Sequence, residues 1–320
     1  MKILLTGASG FIAGAFLRRF ADDPQISLYG VGRRPQSDLP PSVYYQACPL
    51  DQLQTLDVEP DVVIHAAGRA SPWGTRQEYA RDNVQTTRQV IDFCYSRQSP
   101  RLILLSTAAV YYRFAHQYRL TETTPVGPEF TSEYARSKFL AEQHVQAYAG
   151  EKTIFRPCAV FGPGDALLFP PLLEAARKKR LVNLYSEYPA QADIMHIDTL
   201  CDYLMQAATA MQLRPCYNIS AAQPVVTQDL LHDILRQCDL PVPMRALSVM
   251  SARRFAALLE GLWRTLPLAG EPPITQFGIG VFGYSSTLDV SLMLADFGAP
   301  RQIFMQSLKQ FLQDDKVQRL

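Results

Sequence analysis

Tyr134 and Lys138 stand four residues apart in the run Tyr-Ala-Arg-Ser-Lys. On a helix that spacing puts both side chains on one face. A free phenol titrates at about 10, too high for a good proton shuttle near neutrality. A nearby ammonium favours the phenolate and lowers that value. The pair therefore predicts an acid/base. Tyr134 takes a proton from an alcohol, or gives one to a carbonyl, as hydride moves to or from a nicotinamide, while Lys138 tunes the phenol and holds the nicotinamide ribose. A second candidate group is Ser106-Thr107-Ala108-Ala109-Val110-Tyr111, which closes an apolar run. A hydroxyl there can hydrogen-bond the reacting oxygen; Thr107 is the first choice and Ser106 the fallback. Each feature alone has a plainer explanation, a surface helix pair or a strand-end cap.

A third feature supplies the partner for that chemistry. Thr6–Gly14 (TGASGFIAG) follows an apolar run and opens a helical pattern. Gly7 and Gly10 permit a tight turn and close backbone approach to a pyrophosphate, and the helix N-terminus adds N–H groups and a positive dipole end. Ala13 takes the usual third-glycine place, beside Gly14, and is small enough for helix–sheet packing. The next strand ends Gly32-Arg33-Arg34. An NAD site usually offers a carboxylate there to the ribose 2′-hydroxyl. Two arginines instead favour a 2′-phosphate, hence NADP(H), with NAD(H) as the alternative.

These residues must be held by a regular frame, and the chain reads as one. Strands are expected at Lys2–Thr6, Ile26–Val31, Val43–Gln46, Asp61–Ala66, Leu102–Ser106 and Thr153–Arg156, with a late one at Cys216–Ile219. Helices are expected through Phe20, over Glu78–Arg97, and over Ser132–Ala149 with Thr131 or Ser132 as cap. Strand alternating with helix predicts an α/β fold, a doubly wound parallel Rossmann sheet with helices on both faces. The expected division is a cofactor-binding domain over 1–162, with the chain crossing back around 193–220. Residues 163–320 form a smaller, irregular, mainly substrate-binding and lid region, punctuated by Pro163, Pro170, Pro171, Pro241, Pro243, Pro267 and Pro272.

The composition narrows the class. The 320 residues are 48% hydrophobic and 19% charged, with 31 basic and 30 acidic side chains. That length buries a sizeable core without a disulfide or metal staple. A net charge of +1 is not the large positive excess of a nucleic-acid binder. No apolar run reaches the roughly 18 residues of a membrane span, and the start, MKILLTGASG, does not read as a signal peptide. Cys48, Cys94, Cys158, Cys201, Cys216 and Cys238 lack CxxC spacing. They read as free thiols in a reducing, cytoplasmic setting, with no metal site.

Taken in order, TGxxGF, DVVIHAAG, STxxVY, YxxxK and RPxxVFGPGD resemble the extended short-chain dehydrogenase/reductases of the NAD-dependent epimerase/dehydratase superfamily, over Met1 to about Asp198. The resemblance implies a nicotinamide cofactor and a catalytic set of Thr107, Tyr134 and Lys138. It further implies that Gly7, Ser9, Gly10, Phe11 and Ile12 line the pyrophosphate and that Ala66, Ala67, Gly68 and Ser106 lie along the cofactor. Pro157 and Val160 are expected near the nicotinamide. Asn83 matches a position that steadies the active-site strand. His65, His196 and Asp198 are expected to be structural.

Within that family the chain looks like the branch of 3β-hydroxysteroid dehydrogenases and 2-alkyl-3-oxoalkanoate reductases. Ser71–Gly74, Gly162–Asp165 and Pro272–Thr275 resemble it. Ala159 and Ala192 stand where the nucleotide-sugar branch tends to carry Asn and Arg for a diphosphate. The expected activity is an NADP(H)-dependent oxidoreductase acting on CH–OH groups of a hydrophobic secondary alcohol or ketone. The alternatives are a nucleotide-sugar epimerase or dehydratase with retained cofactor, and a non-enzymatic cofactor sensor. Trp73, Thr107, Ala159, Phe169 and Met195 are the expected substrate contacts. Pro241–Leu268 is read as a helix on the sheet domain or a lid, with peripheral membrane contact as the alternative. The expected oligomeric state is monomer or homodimer.

Overall fold

The computed structural model describes residues 1–35, 38–266, 268 and 270–313. Pro267 and the end of the region read as 163–320 lie outside them. The frame is a seven-stranded parallel sheet: β1 (Lys2–Thr6), β2 (Ser27–Gly32), β3 (Tyr44–Ala47), β4 (Val62–His65), β5 (Arg101–Leu105), β6 (Lys152–Pro157) and β7 (Cys216–Ile219). Their spatial order is β7-β6-β5-β4-β1-β2-β3. The order reverses beside β1, which opens the crevice where doubly wound sheets bind ligands.

The alternation of side chains along each strand explains why the strands read as unbroken apolar runs. Ile3, Leu5, Val62, Ile64, Ile103 and Leu105 face one side, against α1 (Phe11–Arg19) and a later helix, Ile197–Thr209. Leu4, Val63, Leu102 and Leu104 face the other, against α2 (Thr86–Ser96) and α3 (Glu133–Gln146). Both faces are dry, so no polar alternation survives. Ser132 caps α3 by accepting the Ala135 N–H.

Two expectations change. The long helix read as Glu78–Arg97 begins at Arg76, where Thr75 and Glu78 form a reciprocal cap, and it passes through a π-helical segment at Ala80–Gln85 before α2. The region beyond Gly162 is also less irregular than its prolines suggest. A four-stranded sheet joins Val225–Val226, Gln191–Ala192, Ser286–Leu288 and Gln117–Leu120. Its strands are short and distant in sequence, and pairing of that kind leaves little local pattern. A separate core of Phe161, Phe169, Leu173, Ile234, Leu235, Leu308 and Phe311 lies under this part. Among the described residues no helix is long and apolar enough to cross a membrane.

Candidate active site

A single cleft of about 2770 Å³ runs along the carboxyl ends of the strands and out beneath the C-terminal part. Its floor begins at the turn between β1 and α1. Gly7 has φ +75°, and a Cβ on it would lie 2.9 Å from the Ala67 backbone. Only glycine lets the two loops close to that distance. Gly10 caps α1 without a side-chain hydrogen bond, and Phe11 and Ile12 line the cleft behind it. First-turn amides left uncapped at a cleft fit a pyrophosphate. Gly32 closes β2 so tightly that a Cβ would meet Ser9 Oγ at 2.8 Å and the Tyr45 hydroxyl at 2.9 Å. A side chain at this position would have to displace Ser9 Oγ and the Tyr45 hydroxyl, while Arg33 and Arg34 both line the cleft. The residues present fit a dinucleotide.

The other expected cofactor contacts, Ser9, Ala66, Ala67, Gly68, Ser106, Pro157 and Val160, line the same cleft. Thr107, Tyr134 and Ala159 line it too. Thr107 caps the short turn after β5 by accepting the Ala109 N–H. Burial raises the Tyr134 phenol above its ordinary value, and a hydrogen bond with Thr107 works the other way. The two hydroxyls thus share one site.

Lys138 stands differently from its expected place. It is buried, it does not line the cleft, and its Nζ donates to the Leu105 carbonyl at 2.5 Å. Burial lowers its pKa to about 8, while the Glu142 charge opposes that shift. One of its three N–H donors goes to the strand end, and burial leaves the Tyr134 phenol raised rather than lowered. Ser106 is also engaged: its hydroxyl donates to Glu142 at 2.5 Å, which leaves Thr107 as the hydroxyl open to the cleft.

Three expected pocket walls do not line the cleft. Phe169 is buried with its ring 5.4 Å from Phe161 and 5.6 Å from Phe311, so it belongs to the core under the C-terminal part. Met195 is fully buried in the main core. Trp73 turns away beneath the Arg264 guanidinium, 5.4 Å from its ring, and its neighbour Pro72 faces the cleft instead. Aromatic residues pack in cores more often than they meet ligands, and sequence gives no direction for them.

The structure adds residues that spacing could have found. Glu142 follows Lys138 by four, on the same helix face. Its fully buried carboxylate accepts from Ser106 and takes Arg156 from β6 in a fork at 2.5 and 3.0 Å. Arg156 in turn donates to the Tyr111 hydroxyl at 2.6 Å. This network pins β5, β6 and α3 directly below Thr107. Tyr112 is less legible: it lines the cleft and stacks on Phe277 with centroids 5.9 Å apart. The helix Gln276–Gly283 that carries Phe277 comes from far along the chain.

The residues expected to be structural are bonded as such. His65 sits between Thr6 Oγ1 at 2.7 Å and Thr87 Oγ1 at 3.0 Å. Burial, with the Lys138 charge beside it, drops its pKa to about 3. Asn83 accepts the Arg69 N–H and donates to the Ser137 hydroxyl, tying the loop after β4 to α3. His196 accepts the Asp198 N–H, and Asp198 pairs with Arg19. No cluster of three or more His, Cys, Asp or Glu groups suited to a metal occurs among the described residues.

Comparison with known proteins agrees with this fold. The model of the NAD dependent epimerase/dehydratase family matches residues 3–220. A 2-alkyl-3-oxoalkanoate reductase of Stenotrophomonas maltophilia is 32% identical over 301 residues, 87% of this chain and 88% of the relative. A 3beta-hydroxysteroid-dehydrogenase/decarboxylase of Arabidopsis thaliana is 24% identical over 248 residues, covering 72% of this chain and 56% of that protein. Among solved structures, dTDP-glucose 4,6-dehydratase from Bacillus anthracis with NAD superposes with a TM-score of 0.74 at 17% identity, covering 99% and 98% of the two chains. That likeness speaks to the fold. With its glycine turn, its paired hydroxyls and its parallel sheet, the chain belongs to the NAD-dependent epimerase/dehydratase family, the extended short-chain dehydrogenase/reductases.

Proposed function

We propose that the protein is an NADP(H)-dependent oxidoreductase that interconverts a hydrophobic secondary alcohol and its ketone. The observation that carries this reading is how the cleft is sorted along its length. One end has the glycine turn and Arg33 and Arg34; the middle has Thr107 and Tyr134; the far end has Leu168, Leu172, Leu259, Ile274, Phe277 and Phe282. Burial of an apolar substrate against that far wall contributes binding at roughly 25 cal/mol per Å². A sugar would gain little from those apolar side chains, and Ala159 and Ala192 offer a diphosphate no hydrogen-bonding side chain. The reductase name of the 32% identical relative supports the same substrate class.

A bound nicotinamide supplies the hydride donor or acceptor. Thr107 Oγ1 hydrogen-bonds the reacting oxygen, and Tyr134 Oη gives it a proton in reduction or takes one in oxidation. Lys138 acts from below, fixing the Leu105 carbonyl and the strand end that bears Thr107. Arg33 and Arg34 hold the 2′-phosphate. The sheet domain, 1–162 with its returning strand, binds the cofactor, and residues 163–320 mainly shape the substrate wall.

The test is Tyr134→Phe. Ketone reduction should fall by about 10²–10⁴-fold, with NADPH affinity within a few-fold of the parent. Full turnover in that variant would refute the mechanism. Arg33→Ser with Arg34→Ser should weaken NADPH at least about tenfold and leave NADH almost unchanged; equal losses for both would refute the phosphate assignment.

A further inference from the structure

We infer that the outer face of the helix Val249–Thr265 is a docking surface for an anionic lipid bilayer, set beside the mouth of the cleft. The helix has three faces. Ala252, Ala256 and Glu260 are buried inward. Glu260 accepts the Gln276 N–H at 2.7 Å, so the inner face already fixes the helix to its neighbour. Phe255 and Leu259 line the cleft. The third face is left open by the described residues: Met250 is 60% exposed and Leu258 74%, with Leu262 one turn further at 44%. Met244, before the strand Ala246–Ser248, Leu247 on that strand, and Leu266, just after the helix, are exposed as well. Contiguous exposed apolar residues of this kind mark an interaction surface.

The charges around the patch say what covers it. Pro241–Leu268 carries Arg245, Arg253, Arg254 and Arg264 against one carboxylate, Glu260, which is buried. Arg245 and Arg254 are exposed and have no carboxylate at ion-pair distance among the described residues. Lys179 and Arg180 line the same cleft as Arg245. A second copy docked on this face would bring one arginine-rich surface with no exposed carboxylate of its own against another. An anionic bilayer takes the leucines into its interface and the guanidinium groups onto its headgroups. The helix is 17 residues long and lies on the surface without spanning it. The role follows from the geometry: a substrate dissolved in lipid enters between Phe255, Leu259 and Met244 without crossing water. That role rests on the hydrophobic-substrate reading; the contact itself does not.

Flotation of the full chain with vesicles tests it, using phosphatidylcholine alone or phosphatidylcholine mixed with phosphatidylglycerol. The expected result is binding to the mixed vesicles, weakened by salt, and little to the neutral ones. Leu258→Asp with Leu262→Asp should cut the bound fraction at least about tenfold. Arg245→Glu with Arg254→Glu should remove the preference for phosphatidylglycerol. NADPH titration of each variant checks that the fold is intact. In turnover, the leucine variant should lose rate only on ketone presented in vesicles, not on a short soluble ketone. No binding to the mixed vesicles, or equal binding by the leucine variant, would overturn the inference. So would a concentration-dependent dimer of the parent that the leucine variant abolishes, since that gives the face to a second copy. Flotation needs no catalysis, so its failure is distinct from failure of the oxidoreductase reading.

Discussion

Tyr134 rests as a neutral phenol because burial raises its pKa above the ordinary range. On the proposed function it is therefore loaded as a proton donor, the state that ketone reduction needs. Lys138 keeps its ammonium only below about pH 8, where burial has brought its pKa. On this account kcat/KM for reduction holds steady below about 8 and declines above it as the Lys138 charge is lost. A profile that climbs through that pH would contradict the assignment. The Glu142 carboxylate works against the burial of Lys138. Glu142→Gln should therefore shift the declining limb to lower pH, and Glu142→Asp should restore it in part. A limb that stays in place would make Glu142 a packing group alone. Tyr134 and Lys138 are legible in the sequence because helical spacing is local. That the ammonium goes to the Leu105 carbonyl is not legible, because a strand far from the helix offers that acceptor.

At the scale of elements, the turn between β1 and α1 is the most constrained piece. Its φ of +75° at Gly7 and the 2.9 Å approach to Ala67 leave no room for a side chain. Gly7→Val should cost about 1–3 kcal/mol in backbone strain and weaken NADPH binding at least tenfold as the amides shift; unaltered affinity, measured by titration, would remove the turn from the cofactor site. All seven strands of the sheet are legible from their apolar runs, within a residue or two at each end. The four-stranded sheet is not, because Gln117–Leu120 and Ser286–Leu288 pair across a long stretch of chain and are only half apolar. The pocket walls fail for a related reason. Phe169, Trp73 and Met195 have the composition of a wall, but packing turns Phe169 and Met195 into cores and Trp73 toward Arg264. The true wall includes Phe277 and Phe282, from a helix whose position only the tertiary fold defines.

The whole molecule couples its core to its chemistry through His65, buried between β1 and the helix bearing Thr87 and near Lys138. Its folded pKa of about 3 lies below the ordinary 6.5, so the unfolded chain takes up the proton first. Its share of stability is whole above about pH 6.5 and is lost steadily as pH falls toward about 3. Denaturant unfolding at stepped pH should show that slope, and His65→Gln should flatten it; an unchanged slope would place the acid sensitivity elsewhere. The cleft belongs to this scale too, since its cofactor end, its hydroxyls and its apolar end come from segments far apart in the chain. On the proposed reading these three parts together perform a net reduction with an exchanging NADPH. The direct measurement is the stoichiometry of NADPH consumed against alcohol formed when a long-chain 2-alkyl-3-oxoalkanoate is added in excess over enzyme. The account predicts one NADPH oxidised per ketone reduced over many turnovers. A cofactor that stays bound with no net oxidation, while a nucleotide sugar is rearranged, would contradict it.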